Sequence, residues 1–152
     1  MTNKEEIERW LLDAEDTLKT AEADHKGGLI RATVQNAQLC IEFSAKAIIS
    51  CFETPEWEHD PGKQLKRINE KNREIIAKKI GPDMIKQIDL LAQKSSDVAL
   101  WHGWSTYGRR ECDGSWLPAA KVCTKDTAET MLPIAELSFK TANDFYNGWF
   151  SK

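Results

Sequence analysis

Apolar residues recur at steps of three and four along nearly the whole chain, and no segment shows sustained alternation with β-branched residues. A period near 3.6 lets a helix bury one face, whereas a half-buried strand needs a period of two. The pattern therefore restricts the chain to an all-α fold. Ile7, Leu11, Ala14, Leu18 and Ala21 mark a first helix ending near His25, where Gly27-Gly28 supplies a turn. Ile30, Val34, Ala37, Ile41, Ala45, Ile48 and Phe52 mark a second, central helix that ends before Pro55. Asp60 is the expected N-cap of a third helix, with Pro61 at its first position and Leu65, Ile68, Ile75 and Ile76 facing inward.

Gly81-Pro82 closes that helix and opens a fourth, carried to about Trp101 by Ile85, Ile88, Leu90, Leu91, Ala92 and Val98. From residue 103 to 123 the periodicity dissolves, and a loop of that length in a compact domain is functional or mobile. Thr124 is the expected N-cap of the last helix, with Ala128, Met131, Ala135, Phe139, Ala142, Phe145 and Trp149 on its buried face. Pro133 falls inside it, so either the helix kinks or its regular part begins near Leu132. About five helices joined by mostly short loops make an up-and-down bundle the simplest architecture, a single domain over residues 1–152.

No apolar run approaches the roughly 20 residues that span a bilayer, and the acidic, amphipathic MTNKEEIERW start resembles neither a signal nor a transit peptide. A cytoplasmic protein without membrane contact is expected. Cys40, Cys51, Cys112 and Cys123 form no C-x-x-C pair, and reduced thiols are expected, although Cys112 and Cys123 flank a loop that a bridge would close. The net charge of −3 excludes a generally basic nucleic-acid binder. Its distribution is uneven: Lys63, Lys66, Arg67, Lys71, Arg73, Lys78 and Lys79 crowd the third helix, while the first 24 residues are acidic. Such a helix is either a phosphate-facing stripe or a solvated face.

Two constellations carry chemistry. Gln38, Glu42 and Lys46 stand four apart on the central helix, with the acid N-terminal to the base, the favoured order for a helical ion pair. They form either a solvated stripe or a polar seam facing a cleft, in which Lys46 meets a phosphate and Glu42 orients it. The second constellation is WHGWSTYGRR, which gathers Trp101, His102, Trp104, Tyr107, Arg109 and Arg110. Aromatics interleaved with arginines suit base stacking with phosphate contact, a protein interface, or a loop folded over the bundle end. His102 is the candidate general acid or base. His59 beside Asp60 is expected to terminate its loop, and His25 to meet a helix dipole. The pairs Glu22/His25 and Glu56/His59 have Glu-x-x-His spacing, but one sits at a helix end and the other in a loop, so neither supplies a metal centre. No metal and no cofactor is expected.

Four stretches together resemble the HEPN family of small helical bundles: WLLDAEDTLKTA (10–21), QLCIEFSAKAII (38–49), EHDPGKQL (58–65), and TYGRRECDGSWLP followed by TKDTAETMLPIAELSFKTANDF. The resemblance implies a homodimer with a polar cleft near its two-fold axis. It also implies one of three roles: a metal-independent endoribonuclease, often a toxin, a nucleotide binder, or a partner of a small nucleotidyltransferase. The ribonucleases of the family place an Arg four to six residues before a His. Here Ser96, Asp97 and Val98 occupy that span before His102, with only Lys94 further upstream.

The expected function is therefore a dimeric module that binds nucleotide or RNA, or partners a nucleotidyltransferase, without strong catalysis. Gln38, Glu42, Lys46, Trp101, Tyr107, Arg109 and Arg110 are its expected ligand-binding residues. The alternatives are an endoribonuclease using His102 and a purely structural interaction module.

Overall fold

The computed structural model describes residues 2–151. It is an all-α bundle with a small appended hairpin. Helices α1 (Asn3–Lys26) and α2 (Ile30–Ser50) form an αα-hairpin, and α8 (Lys125–Phe150) packs against both. A shorter layer of α3 (Gly62–Lys71), α4 (Arg73–Lys79) and α5 (Pro82–Val98) closes the other side. Then come α6 (Trp101–Tyr107), strands β1 (Arg109–Arg110) and β2 (Trp116–Leu117), and the single turn α7 (Ala119–Val122). Among the described residues no helix is long and apolar enough to cross a membrane.

Local chemistry sets the ends of the main helices. Thr2 and Glu5 form a reciprocal capping box on α1, and Gly28 turns the chain at φ +74°. The hydroxyl of Thr124 accepts the Thr127 amide at 3.2 Å to cap α8. The expected N-cap at Asp60 shifts by one residue: Pro61 occupies the cap and the helix begins at Gly62, while the Asp60 carboxylate, just before the cap, accepts the Gly62 amide at 3.0 Å. The same Asp60 oxygen accepts the Ser96 hydroxyl at 2.9 Å, which ties the start of α3 to α5.

Three expectations need correction. The third helix is two, because Asn72 leaves helical geometry and its side-chain amide bonds the Ile68 carbonyl at 2.9 Å, a local competitor to the helical ladder. The break re-aims the segment, so Ile76 is buried while Ile75 is exposed. The fourth helix likewise ends at Val98. There the amides of Ala99 and His102 bond carbonyls three residues back, a tightened turn that launches α6 in a new direction and exposes Leu100. Leu90, also expected inside, is 44% exposed. Residues 103–123 are ordered structure rather than a long loop. Gly108 (φ +89°) enters a hairpin pairing Arg109 with Leu117, and a Cβ there would stand 2.2 Å from the Leu117 carbonyl oxygen. Pro133 lies within a continuous α8 and is exposed, so the ladder bond it removes falls on the solvent side. All four cysteines are free; Cys112 is exposed and Cys123 buried.

The core is centred on α2, whose fourteen buried residues include eight apolar or cysteine side chains and, unusually, Gln38, Glu42 and Lys46. Close approach of α3 to α5 depends on Gly62, where an added Cβ would fall 2.1 Å from Ser96 Oγ and 2.5 Å from the Ala92 carbonyl oxygen. Gly62→Ala is therefore expected to lower unfolding free energy by about 1–3 kcal/mol, the usual range for overpacking. Chemical denaturation of the two proteins measures it; an unchanged midpoint would show that the two helices do not touch at this point.

Candidate functional site

Glu42 stands in the middle of α2 with 4% of its side chain exposed, and Lys46, one turn later, with 10%. Lys46 Nζ donates to Glu42 Oε2 at 3.1 Å. One turn earlier, Gln38 Nε2 donates to Glu42 Oε1 at 3.2 Å. The three residues form one hydrogen-bonded row whose burial rules out the solvated stripe, and of the three only Lys46 reaches the cleft described below. Burying a carboxylate is tolerated only when its lone pairs are filled, and both oxygens of Glu42 are.

Two histidines complete the cluster. The turn after α5 sets His102 in the first turn of α6, where its Nδ1 lies 3.3 Å from Gln38 Oε1. Because the Gln38 amide nitrogen is committed to Glu42, the oxygen faces His102, which makes Nδ1 the protonated ring nitrogen. His59, from the loop between α2 and α3, stacks on His102 with ring centroids 3.6 Å apart and planes 14° apart. Its Nδ1 approaches Glu42 Oε1 at 3.4 Å. The sequence reading of His59 as a loop terminator is thus corrected: it is the fifth member of the cluster, brought there by a loop that spacing could not place. His102 has its pKa lowered, first by burial, then by neighbouring His59 and by Lys46, with Glu42 opposing.

His59 and Lys46 line a cleft of about 660 Å³ between the start of α1 and the 51–61 loop. Its walls include Trp10, Arg9, Ser50 and the fully exposed Trp57. Arg9 lies over the Trp10 ring at 4.5 Å, and Lys46 Nζ is 5.6 Å from it. The buried indole N–H of Trp10 has no hydrogen-bond partner among the described residues. Glu6, Glu53, Glu56 and Glu58 also border the cleft, so its rim is acidic despite Arg9 and Lys46. Sequence reasoning missed Arg9, Trp10 and Trp57. The one available signal was a tryptophan in the polar ETPEWEHDPGK loop, where an aromatic has no core to serve.

The aromatic-arginine segment does not converge on this cleft. Trp101 and Trp104 meet edge to face at 5.1 Å, half-buried on α6. Arg109 covers Trp104 at 5.3 Å and Arg110 covers Trp116 at 5.8 Å, while Tyr107 is 79% exposed. Trp104, Tyr107, Arg109, Arg110 and Trp116 line a separate shallow groove, and Trp101 faces another, beside α8. Arg31, overlooked in the sequence, holds the end of α6 by donating to the Ser105 and Thr106 carbonyls at 2.7 and 2.8 Å. Of the lysine-rich third helix, Lys63, Lys66, Lys71, Lys78 and Lys79 are exposed and border no part of the cleft. Arg67 is bound to Glu53 instead.

With this geometry in view, comparison with known families is decisive. The HEPN domain model matches residues 7–144, from the first core residue of α1 to the last turns of α8. The chain belongs to the HEPN family. It matches no curated protein and no solved structure. All members of the seam and both histidines lie inside the matched span, so the cluster belongs to the HEPN domain proper.

Removing one partner of a buried pair strands the other charge, typically at about 3–5 kcal/mol. Glu42→Ala is expected to destabilise this HEPN protein by roughly that amount, and the double variant Glu42→Leu/Lys46→Met to recover most of it. Urea titrations of the three proteins provide the comparison; equal midpoints for wild type and Glu42→Ala would contradict a buried carboxylate. Because the folded protein holds the His102 pKa below its ordinary 6.5, the unfolded chain binds that proton first as pH falls. His102 should then contribute no penalty above about pH 6.5, and stability should decline as pH falls from there toward the folded-state midpoint. Imidazole NMR titration should place the His102 midpoint below 6.5; a midpoint at or above that value would refute the assigned surroundings.

Proposed function

We propose that this HEPN protein is a binding module for a nucleotide or a short single-stranded RNA segment, working as a homodimer or beside a small nucleotidyltransferase, without strong catalysis of its own. The observation that carries this reading is the buried Gln38–Glu42–Lys46 network opening, through Lys46 and His59, onto a cleft walled by Trp10 and Trp57. Tryptophans offer flat apolar faces for a base. Lys46 offers a positive charge already positioned by Glu42. The acidic rim disfavours a long polyanion, so the ligand engages one or two phosphates at most.

That limit makes the reading quantitative. Affinity for ATP or a short oligoribonucleotide should weaken with salt, at about 0.7 log units per decade for each phosphate contacted. Trp57→Ala, at a fully exposed position that leaves the core intact, should weaken binding by about 1–3 kcal/mol, the worth of one stacked base. Titration at several salt concentrations tests both, and absence of any binding at low salt would end the ligand reading. Sedimentation velocity reports the dimer.

One observation favours a second reading, an endoribonuclease. Stacked His59 and His102 give adjacent imidazoles of which one can hold a proton while the other accepts one, the pairing that general acid–base cleavage needs. His102 is the catalytic candidate, with an arginine from the hairpin or a second subunit. Incubation with structured RNA in EDTA, beside His102→Ala, separates the readings: cleavage abolished by that substitution would replace the first with the second.

A further inference from the structure

Glu42, His59 and His102 each present one donor atom, and these atoms lie within 4.8 Å of one another. We infer that the three residues form a binding site for a divalent transition-metal ion of the zinc class, open to the cleft.

The distances are close to those the ion requires. Zinc holds nitrogen at about 2.0–2.1 Å and carboxylate oxygen at about 2.0–2.2 Å, so tetrahedral donors stand roughly 3.3–3.5 Å apart. His59 Nδ1 and Glu42 Oε1 already stand 3.4 Å apart. The seam supplies the outer contacts that metal-binding side chains use. Gln38 Oε1 takes the Nδ1 proton of His102, which leaves its Nε2 lone pair free for the ion. Lys46 occupies Oε2 of Glu42, while Oε1, which accepts the Gln38 amide at 3.2 Å, keeps a second lone pair and is the oxygen nearest His59. Two imidazoles and one carboxylate favour zinc, cobalt or nickel over magnesium or calcium, which take all-oxygen shells.

One adjustment is needed. An imidazole binds metal in the plane of its ring, and parallel stacked rings do not converge on a point. His59 must therefore swing out of the stack, and its position in the 51–61 loop, with 60% of its side chain exposed, leaves it free to do so. Glu42 and His102 sit on helices and stay in place. With three protein donors bound, at least one position remains for water or an anionic oxygen from the cleft. The site was invisible to sequence spacing because its donors come from α2, a loop and α6, 17 and 43 residues apart, rather than from a Glu-x-x-His pair.

Zinc chloride titrated calorimetrically into the metal-stripped full chain at neutral pH tests the inference without any nucleotide present. One ion per chain is expected, with affinity at least tenfold weaker in His59→Ala, a loop position whose loss leaves the helices folded by circular dichroism. Cys112→Ser should bind as the wild type does, since the exposed Cys112 thiol is the principal rival donor. In NMR, the His59 and His102 ring nitrogens should shift on zinc addition and those of His25 should not. No zinc uptake would overturn the site, as would undiminished affinity in His59→Ala or binding abolished by Cys112→Ser.

Discussion

A single carboxylate organises this molecule. Glu42 sits inside the central helix, where an unpaired charge would be prohibitive, and its surroundings are arranged to neutralise it. Lys46 takes one oxygen, while Gln38 donates to the other and His59 approaches it. Through Gln38 the network reaches His102 on α6, and through His59 it reaches the loop before α3. Two separate parts of the chain are thus registered on the central helix by polar contacts rather than by apolar packing alone. A buried ion pair contributes little net stability against an apolar replacement of the same shape. Its value here is positional: it holds charged and titratable groups at fixed places beside an open cleft.

The cleft and the hairpin groove divide the work that a linear reading assigns to one surface. Trp101, Trp104 and the arginines after them are adjacent in sequence to His102, yet they turn away from it. The arginines spend their planar faces on Trp104 and Trp116 in the same hairpin region. The cleft instead draws its aromatic walls from α1 and from the loop after α2, and its rim is acidic. An acidic rim around a buried lysine repels an extended polyanion by like charge. A metal ion on Glu42 and the two histidines would add positive charge where the rim is negative.

Helix periodicity was legible because burial of one face leaves an unmistakable three-and-four rhythm. Ile7 to Ala21, the α2 face from Val34 to Ile48 and the α8 face from Ala128 to Phe145 are buried where that rhythm places them, with Phe139 half-buried. Capping residues were legible for the same local reason, at Thr124 and, within one residue, at Asp60. Breaks without proline or glycine were not. Asn72 and the turn at 99–100 interrupt helices by hydrogen bonds that only the folded backbone makes available, and they alone decide that Ile75 and Leu100 face water. The 103–123 segment lacked periodicity because short helices and a two-residue ladder leave too few repeats to detect.

The amino-acid order alone determined an all-helical HEPN domain and put Gln38, Glu42 and Lys46 on one stripe, since a four-residue spacing on a helix is a local geometric fact. Only tertiary structure decided that the stripe faces inward and that His59 and His102 meet over it. Residues separated by a loop and three further helices are joined by chain reversals whose direction no local pattern encodes. The same reversals separate Tyr107, Arg109 and Arg110 from the seam, although His102 stands only a few residues before them.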